Sequence, residues 1–150
     1  MNVSWNKLLA SGEVTTHRTS KQELDRVRAL IARDIADASL PGLSSDRQFA
    51  TAYNAALQAG KIAIACSGYR VTARAGHHAV TFEAAHLAIG PEAALLTDYF
   101  DACRRKRNVI DYDNSSVATE TEAAELVRKA GEFHLLVERW VAVNYSGLTL

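Results

Sequence analysis

No window of this 150-residue sequence approaches the roughly 18 consecutive apolar residues that a membrane-crossing helix needs. Nor do residues 1–7 carry a basic stretch followed by an apolar core, the form of a secretory signal, so the expected protein is soluble and cytoplasmic, with no membrane partner. Net charge is missing as well: 17 basic and 17 acidic residues cancel, which removes any general pull towards nucleic acid and leaves polyanion binding to local clusters. Cysteine occurs only twice, as Cys66 and Cys103, each among aliphatic or aromatic neighbours. That usage suits reduced core thiols rather than a disulfide framework or a metal site. There is no glycine-rich phosphate loop, no dinucleotide fingerprint and no Cys-x-x-Cys pair, so nucleotide hydrolysis and redox chemistry lack a motif and no cofactor is expected. Alternating apolar and polar residues of the strand type are absent too, and no repeat of roughly 30–45 residues points to a solenoid.

What is there is helical spacing along almost the whole chain. Ser20-Lys21-Gln22-Glu23, Ser45-Asp46-Arg47-Gln48 and Thr119-Glu120-Thr121-Glu122 have capping-box form, in which a hydroxyl and a side chain three residues on satisfy each other's amides. Gly90-Pro91-Glu92 closes one helix and opens the next, because proline is harmless in a first turn and disruptive further in. The predicted helices run over 20–38, 45–67, 76–89, 91–112 and 119–143. Each carries an apolar stripe: Leu24, Val27, Ile31 and Ile35; Phe49, Tyr53, Gly60 and Ile64; Leu126, Ala130, Phe133, Val137 and Trp140. Short connections between amphipathic helices predict a single all-α domain over residues 1–150, an up-and-down antiparallel bundle of about five helices, with residues 1–19 as a loose N-terminal arm. Alanine-rich helices leave a thin core, which motivates a homodimer.

The fourth helix holds the one dense basic cluster, Arg104-Arg105-Lys106-Arg107, followed by Asn108. Its apolar stripe is Leu96, Phe100, Cys103 and Ile110, and helical stepping places Arg107 between Cys103 and Ile110, on a buried or shared face. Arg104, Arg105 and Lys106 fall elsewhere around the helix, where they stay solvated. A cation on the inner face asks for a partner. An ion pair with Asp98, Asp101, Asp111 or Asp113, or with a carboxylate of a neighbouring helix, helped by the helix dipole, answers that without any function.

The run Arg107-Asn108-Val109-Ile110-Asp111-Tyr112-Asp113 resembles the end of the motif helix in the HEPN superfamily. Tyr53-Asn54-Ala55-Ala56-Leu57, Gly68-Tyr69-Arg70 followed by Gly76-His77-His78, and Arg128-Lys129-Ala130-Gly131-Glu132-Phe133 resemble small bacterial HEPN proteins in order and spacing, over about residues 45–143. The resemblance implies a bundle that dimerises so that its motif helices line a basic cleft, with RNA or a nucleotide as ligand. Many members are metal-independent ribonuclease toxins paired with a nucleotidyltransferase-type antitoxin. Their motif is an Arg followed after roughly four to six residues by a His, the Arg to hold phosphate and the His to move the 2′-hydroxyl proton. On that pattern Arg107, Asn108 and Tyr112 occupy the motif positions, and Arg104, Arg105, Lys106 and Arg107 are the phosphate-binding candidates.

The departure is the histidine: Tyr112, Asp113 and Asn114 stand where it belongs, and neither an ionised Asp nor a Tyr is a good base at neutral pH. The expected function is therefore a non-catalytic binding module for RNA, a nucleotide or a protein partner, with a ribonuclease toxin of altered active site as the alternative. His77, His78, His86 and His134 read as capping or partly buried structural imidazoles, the His77-His78 pair being the best substitute among them. Glu83-Ala84-Ala85-His86 has the Glu-x-x-His spacing of di-iron bundles but no second copy, so no metal is expected. Ser115 and Ser116 serve as turn residues, and a cluster at a helix C-terminus does not suit a helix-turn-helix reader.

Overall fold

The computed structural model describes residues 3–74, 76–112 and 116–150, with the side chains of Asp111 and Tyr112 outside that description. Among the described residues there are six α-helices: α1 (Trp5–Ala10), α2 (Lys21–Ala38), α3 (Ser45–Cys66), α4 (His77–Ile89), α5 (Ala94–Tyr112) and α6 (Glu120–Asn144). Two short strands, β1 (Val14–Thr16) and β2 (Tyr69–Val71), and single 3-10 turns at Pro91–Ala93 and Ser146–Leu148 complete the order. The architecture is the all-α bundle that the helix signals predict. None of the described helices is long and apolar enough to cross a membrane.

The helix starts follow the capping chemistry with three departures. Thr119 and Glu122 form the full box at the head of α6, with Glu122 N–H donating to Thr119 Oγ1 at 3.0 Å and Thr119 N–H to Glu122 Oε1 at 2.9 Å. Ser20 caps α2 through the Glu23 amide at 3.1 Å, but the Glu23 carboxylate turns to Thr19 and His17 instead of closing the box. The cap of α3 is Ser44 and not Ser45; Gln48 is released to donate to the Ala38 carbonyl at 2.9 Å, tying the end of α2 to the start of α3. Pro91 opens a 3-10 turn, and α5 begins three residues later, at Ala94.

The central element is α3, packed against α2, α4, α5 and α6. Its small residues explain that position: Ala52, Ala55, Ala56, Ala59 and Ala63 are all fully buried, so four helices can approach one axis closely. Gly60 marks the tightest approach, where an added methyl would lie 3.4 Å from Thr81 Cγ2 and 3.6 Å from Ala85 Cβ on α4. Gly60→Ala should therefore be tolerated, gaining up to about 1 kcal/mol from helix propensity. Gly60→Leu should lose about 1–3 kcal/mol by overpacking, read as a lower urea midpoint at unchanged slope. Rings from four helices fill the rest of the core: Tyr53 to Phe82 at 5.8 Å, Phe82 to Phe100 at 5.6 Å and Phe100 to Phe133 at 5.2 Å.

Residues 5–16 are not the loose arm expected. Leu8 and Val14 are buried with Ile64 and Ala84 in a second apolar cluster, and Trp5 stacks on Tyr69 at 4.2 Å. β1 pairs antiparallel with β2 in the register Val14 with Val71, Thr15 with Arg70 and Thr16 with Tyr69. Three-residue strands are too short to show an alternating pattern, and their partner lies far along the chain, so local periodicity carries no trace of them.

Among the described residues one ion pair has both partners buried. Arg28 of α2 donates from Nε to Glu138 Oε2 at 2.8 Å and from Nη2 to Glu138 Oε1 at 2.9 Å, a two-pronged contact with α6. The same guanidinium reaches Asp25 at 2.8 Å and the Leu148 carbonyl at 2.7 Å, while His134 lies 2.8 Å from Glu138 Oε2. His134 is thus a structural imidazole, as its helical placement suggested.

Candidate functional site

The basic segment sits on α5 because Phe100 and Cys103, both buried, anchor that helix to the core and fix its rotation. Residues three apart on a helix lie about 60° from one another, whereas residues two apart face nearly opposite directions. Arg104 and Arg107 therefore share one flank, and Lys106 belongs to another. The structure separates them accordingly. Lys106 donates to Glu122, the capping residue of α6, and that contact first, with the Thr119 amide, holds the Glu122 carboxyl down at about 2. Arg105 is exposed. The four cations thus do not form one patch, and Arg104 and Lys106 are half-buried and paired where full solvation was expected.

Arg107 crosses from α5 to α3. Its guanidinium carbon lies 5.7 Å from the centroid of the Tyr53 ring, in cation–π range, and its Nε has essentially no solvent contact. Arg104 is steadied by Asp101, donating from Nε at 3.0 Å, and its charge also reaches Tyr53. Tyr53 is fully buried, and burial above all pushes its phenol well beyond the ordinary tyrosine range, so it stays protonated.

The third side of this cluster comes from the first turn of α4. Gly76 takes a left-handed conformation at φ 81° and lets the chain turn into the helix, so that His77 and His78 lie in its first turn. His77 places Nδ1 2.9 Å from the Arg74 carbonyl and meets the His78 ring edge-on at 4.4 Å. His78 is half-buried, and its Nδ1 lies 3.3 Å from the Tyr53 hydroxyl. Burial, then the positive charges of His77, Arg107, Lys61 and Arg104, push the His78 imidazole down to about 4, so it is neutral at physiological pH.

The structure therefore brings Arg104 and Arg107 together with Tyr53, which the sequence did not assign to a site, and with His78, which the sequence offered only as half of the substitute His77-His78 pair. Tyr53 reads from spacing as an ordinary stripe residue, and His78 lies 25 residues from it; only the α3 to α4 crossing joins them. Asn108 is half-buried on α5. Tyr112 ends α5 with its side chain outside the described residues, as do Asp113, Asn114 and Ser115 altogether. Beyond them Asp46 of α3 accepts the amides of Val117 and Ala118 at 2.9 and 2.8 Å, and those amides hold its carboxyl below the ordinary range.

Elsewhere, Glu83 and His86 line a cavity of about 280 Å³ with Asp98 and Asp101, and burial raises the Glu83 carboxyl. Among the described residues no group of three or more metal-ligating side chains is gathered. Cys66 and Cys103 are free and buried, and burial pushes the Cys66 thiol up to about 11, leaving it unreactive.

A model of the SAV_6107-like HEPN family matches residues 43–138. The chain belongs to the HEPN superfamily. No curated protein and no solved structure matches it. The matched stretch runs from the connection before α3 to near the end of α6, so every member of the cluster, Tyr53, His78, Arg104 and Arg107, lies inside the HEPN region. β1, α1 and α2 lie before it. The HEPN chain has no histidine between His86 and His134, so none lies on α5.

Proposed function

We propose that this HEPN protein binds single-stranded RNA through the cluster of Arg104, Arg107, His78 and Tyr53, as a homodimer in which the α5 helices of two copies face one another. The observation that carries the reading is the convergence of two arginines and an imidazole from separate helices around one buried tyrosine. Arg107, held over Tyr53, has a preset guanidinium plane, the geometry that matches a phosphate bidentately. With net charge zero, attraction for a polyanion rests on such local groups, so affinity is modest and strongly dependent on salt. HEPN membership supports RNA as the polyanion and supports the dimer. A nucleotidyltransferase-type antitoxin partner is part of the same reading.

Fluorescence anisotropy with a labelled single-stranded RNA tests it. Arg107→Ala should weaken binding and reduce the slope of log K against log salt by about 0.7, the loss of one phosphate contact. Lys106→Ala should do less, because Lys106 is committed to Glu122. Unchanged affinity and slope for Arg107→Ala would reduce this arginine to a structural role. Light scattering of the same sample should give the mass of two chains, and a monomer at micromolar concentration would remove the dimer.

A further inference from the structure

We infer that the cavity between the start of α2, the end of α3 and β2 binds a small monocarboxylate with a compact apolar body, the carboxylate resting on Lys61. The inference is independent of the RNA-binding reading: His17, Glu23, Leu24 and Val27, which form one side of the cavity, come from ahead of the residues that the family model matches. The cavity measures about 260 Å³, a little under the roughly 300–1,000 Å³ of drug-sized sites, which suits a small molecule. It opens where the two apolar clusters part, since Leu24 belongs to the main core and Ile64 to the cluster of Leu8 and Val14. Helical spacing builds its wall. Lys61, Ile64 and Ala65 stand at i, i+3 and i+4 on α3 and so share one face, with Leu24 and Val27 three apart on α2. Leu24 and Ile64 are fully buried, and Tyr69, on which Trp5 stacks at 4.2 Å, completes the lining with Val71. Lys61 and Arg70 are exposed, which puts them at the mouth.

The charges around the cavity select the ligand. Glu23 is already committed: its Oε1 lies 2.7 Å from His17 Nε2 and accepts from Thr19 at 2.8 Å, and these contacts, that of His17 first, hold the carboxyl below its ordinary range. Lys61 is not committed. Among the described residues its ammonium has no hydrogen bond or ion pair, and although the residue is exposed overall, the protein packed around it lowers it below the ordinary lysine range. An arriving carboxylate replaces the hydration that the ammonium has lost, through a charge-assisted hydrogen bond that Nζ donates. Arg70 adds a second positive charge on the lining, close enough to act on Glu23. The two cations outweigh the one carboxylate, so an anion is favoured, and ionised Glu23 repels a dianion such as phosphate twice as strongly as a monoanion. The apolar wall discriminates further. A bare ion leaves it in contact with water, whereas a phenyl-sized or isobutyl-sized body covers it.

The experiment titrates the full-length, isotope-labelled protein with phenylacetate and with 4-methylpentanoate and follows the backbone amide shifts. At least one of the two acids should give saturable shifts centred on residues 17–27 and 61–71, with the amides of Arg104 and Arg107 unmoved. The uncharged amide of that acid should bind at least about tenfold more weakly, the loss expected for one charge-assisted contact, and the acid itself should lose as much in Lys61→Gln. Lys61 is exposed, so this variant should keep the urea midpoint of the wild type. Ala65→Leu, which fills the cavity from its wall, should weaken binding with every charge in place; Lys61→Gln decides alone should that variant fail to fold. The absence of saturable shifts from either acid at millimolar concentration overturns the inference, as do shifts centred on α5. Equal affinity for the uncharged amide or for inorganic phosphate, or full affinity in Lys61→Gln, overturns it as well. RNA binding at α5 is measured separately and stands or falls without this cavity.

Discussion

Arg28→Ala is expected to destabilise the fold by about 3–5 kcal/mol at neutral pH, measured by urea or thermal unfolding. The expectation comes from what the substitution leaves behind. Glu138 is 9% exposed and takes both prongs of the guanidinium, so without Arg28 a carboxylate remains in the interior with His134 as its remaining partner among the described residues. The Leu148 carbonyl loses its donor as well, loosening the turn after α6. The pH dependence follows in sign. Burial by itself raises the Glu138 carboxyl, but Arg28 and His134 together outweigh it and lower the group in the folded protein. Its contribution is therefore complete above the unfolded carboxylate range near 4.3 and fades as pH falls through the lowered folded value. In Arg28→Ala the balance reverses, burial dominates, and the variant should lose less stability relative to wild type at pH 4 than at pH 7. A deficit equal at both pH values would show that the pair acts through packing and not through charge.

Phe100→Ala should have a comparable effect, about 3–5 kcal/mol, because the ring is fully buried between Phe82 of α4 and Phe133 of α6. Leu95→Ala, earlier on the same helix and 86% exposed, should be neutral within about 0.5 kcal/mol. The pair of variants separates burial from helix propensity, since both replace a large residue by the best helix former. Phe100 also sets the rotation of α5, so a variant that still folds should show weaker RNA binding although no cation has been changed. A loss below about 1 kcal/mol would contradict the seating of α5 on Phe100.

Much of this architecture can be read from the residues. The 3.6-residue recurrence of apolar side chains from Leu24 to Trp140 marks the five long helices, and capping residues place their starts to within a few positions. Side-chain competition moved the details: Gln48 found a better acceptor in the Ala38 carbonyl than in a capping box, and Glu23 found His17 and Thr19. Residues 5–16 were illegible for a different reason. Their order depends on Tyr69, Val71 and Ile64, partners supplied by the fold and not by neighbours in sequence. The site divides in the same way. Spacing along one helix placed Arg107 on an inner face, and it does reach across to α3. Spacing also puts Lys106 on a different flank from Arg104, but it does not show that Asp101 pairs with one and Glu122 with the other, because the second partner comes from α6. His78 was legible only as a candidate, since meeting Tyr53 depends on how α3 crosses α4.

The β1–β2 pairing has a bearing on where the working unit ends. β2 leads directly into the turn before His77 and His78, and its partner strand belongs to a segment ahead of the family region. Further ties run the same way: Thr72 N–H donates to the Glu13 carbonyl at 2.9 Å, and Arg74 reaches the Ser11 carbonyl at 2.8 Å. A fragment trimmed to residues 43–138 would keep every side chain of the cluster, yet it would lose the brace that aims the first turn of α4 and the Arg28 that neutralises Glu138. The span that the family model matches and the span tied together by these contacts are thus different lengths of chain. Residues ahead of the family region brace the strand that leads into the first turn of α4.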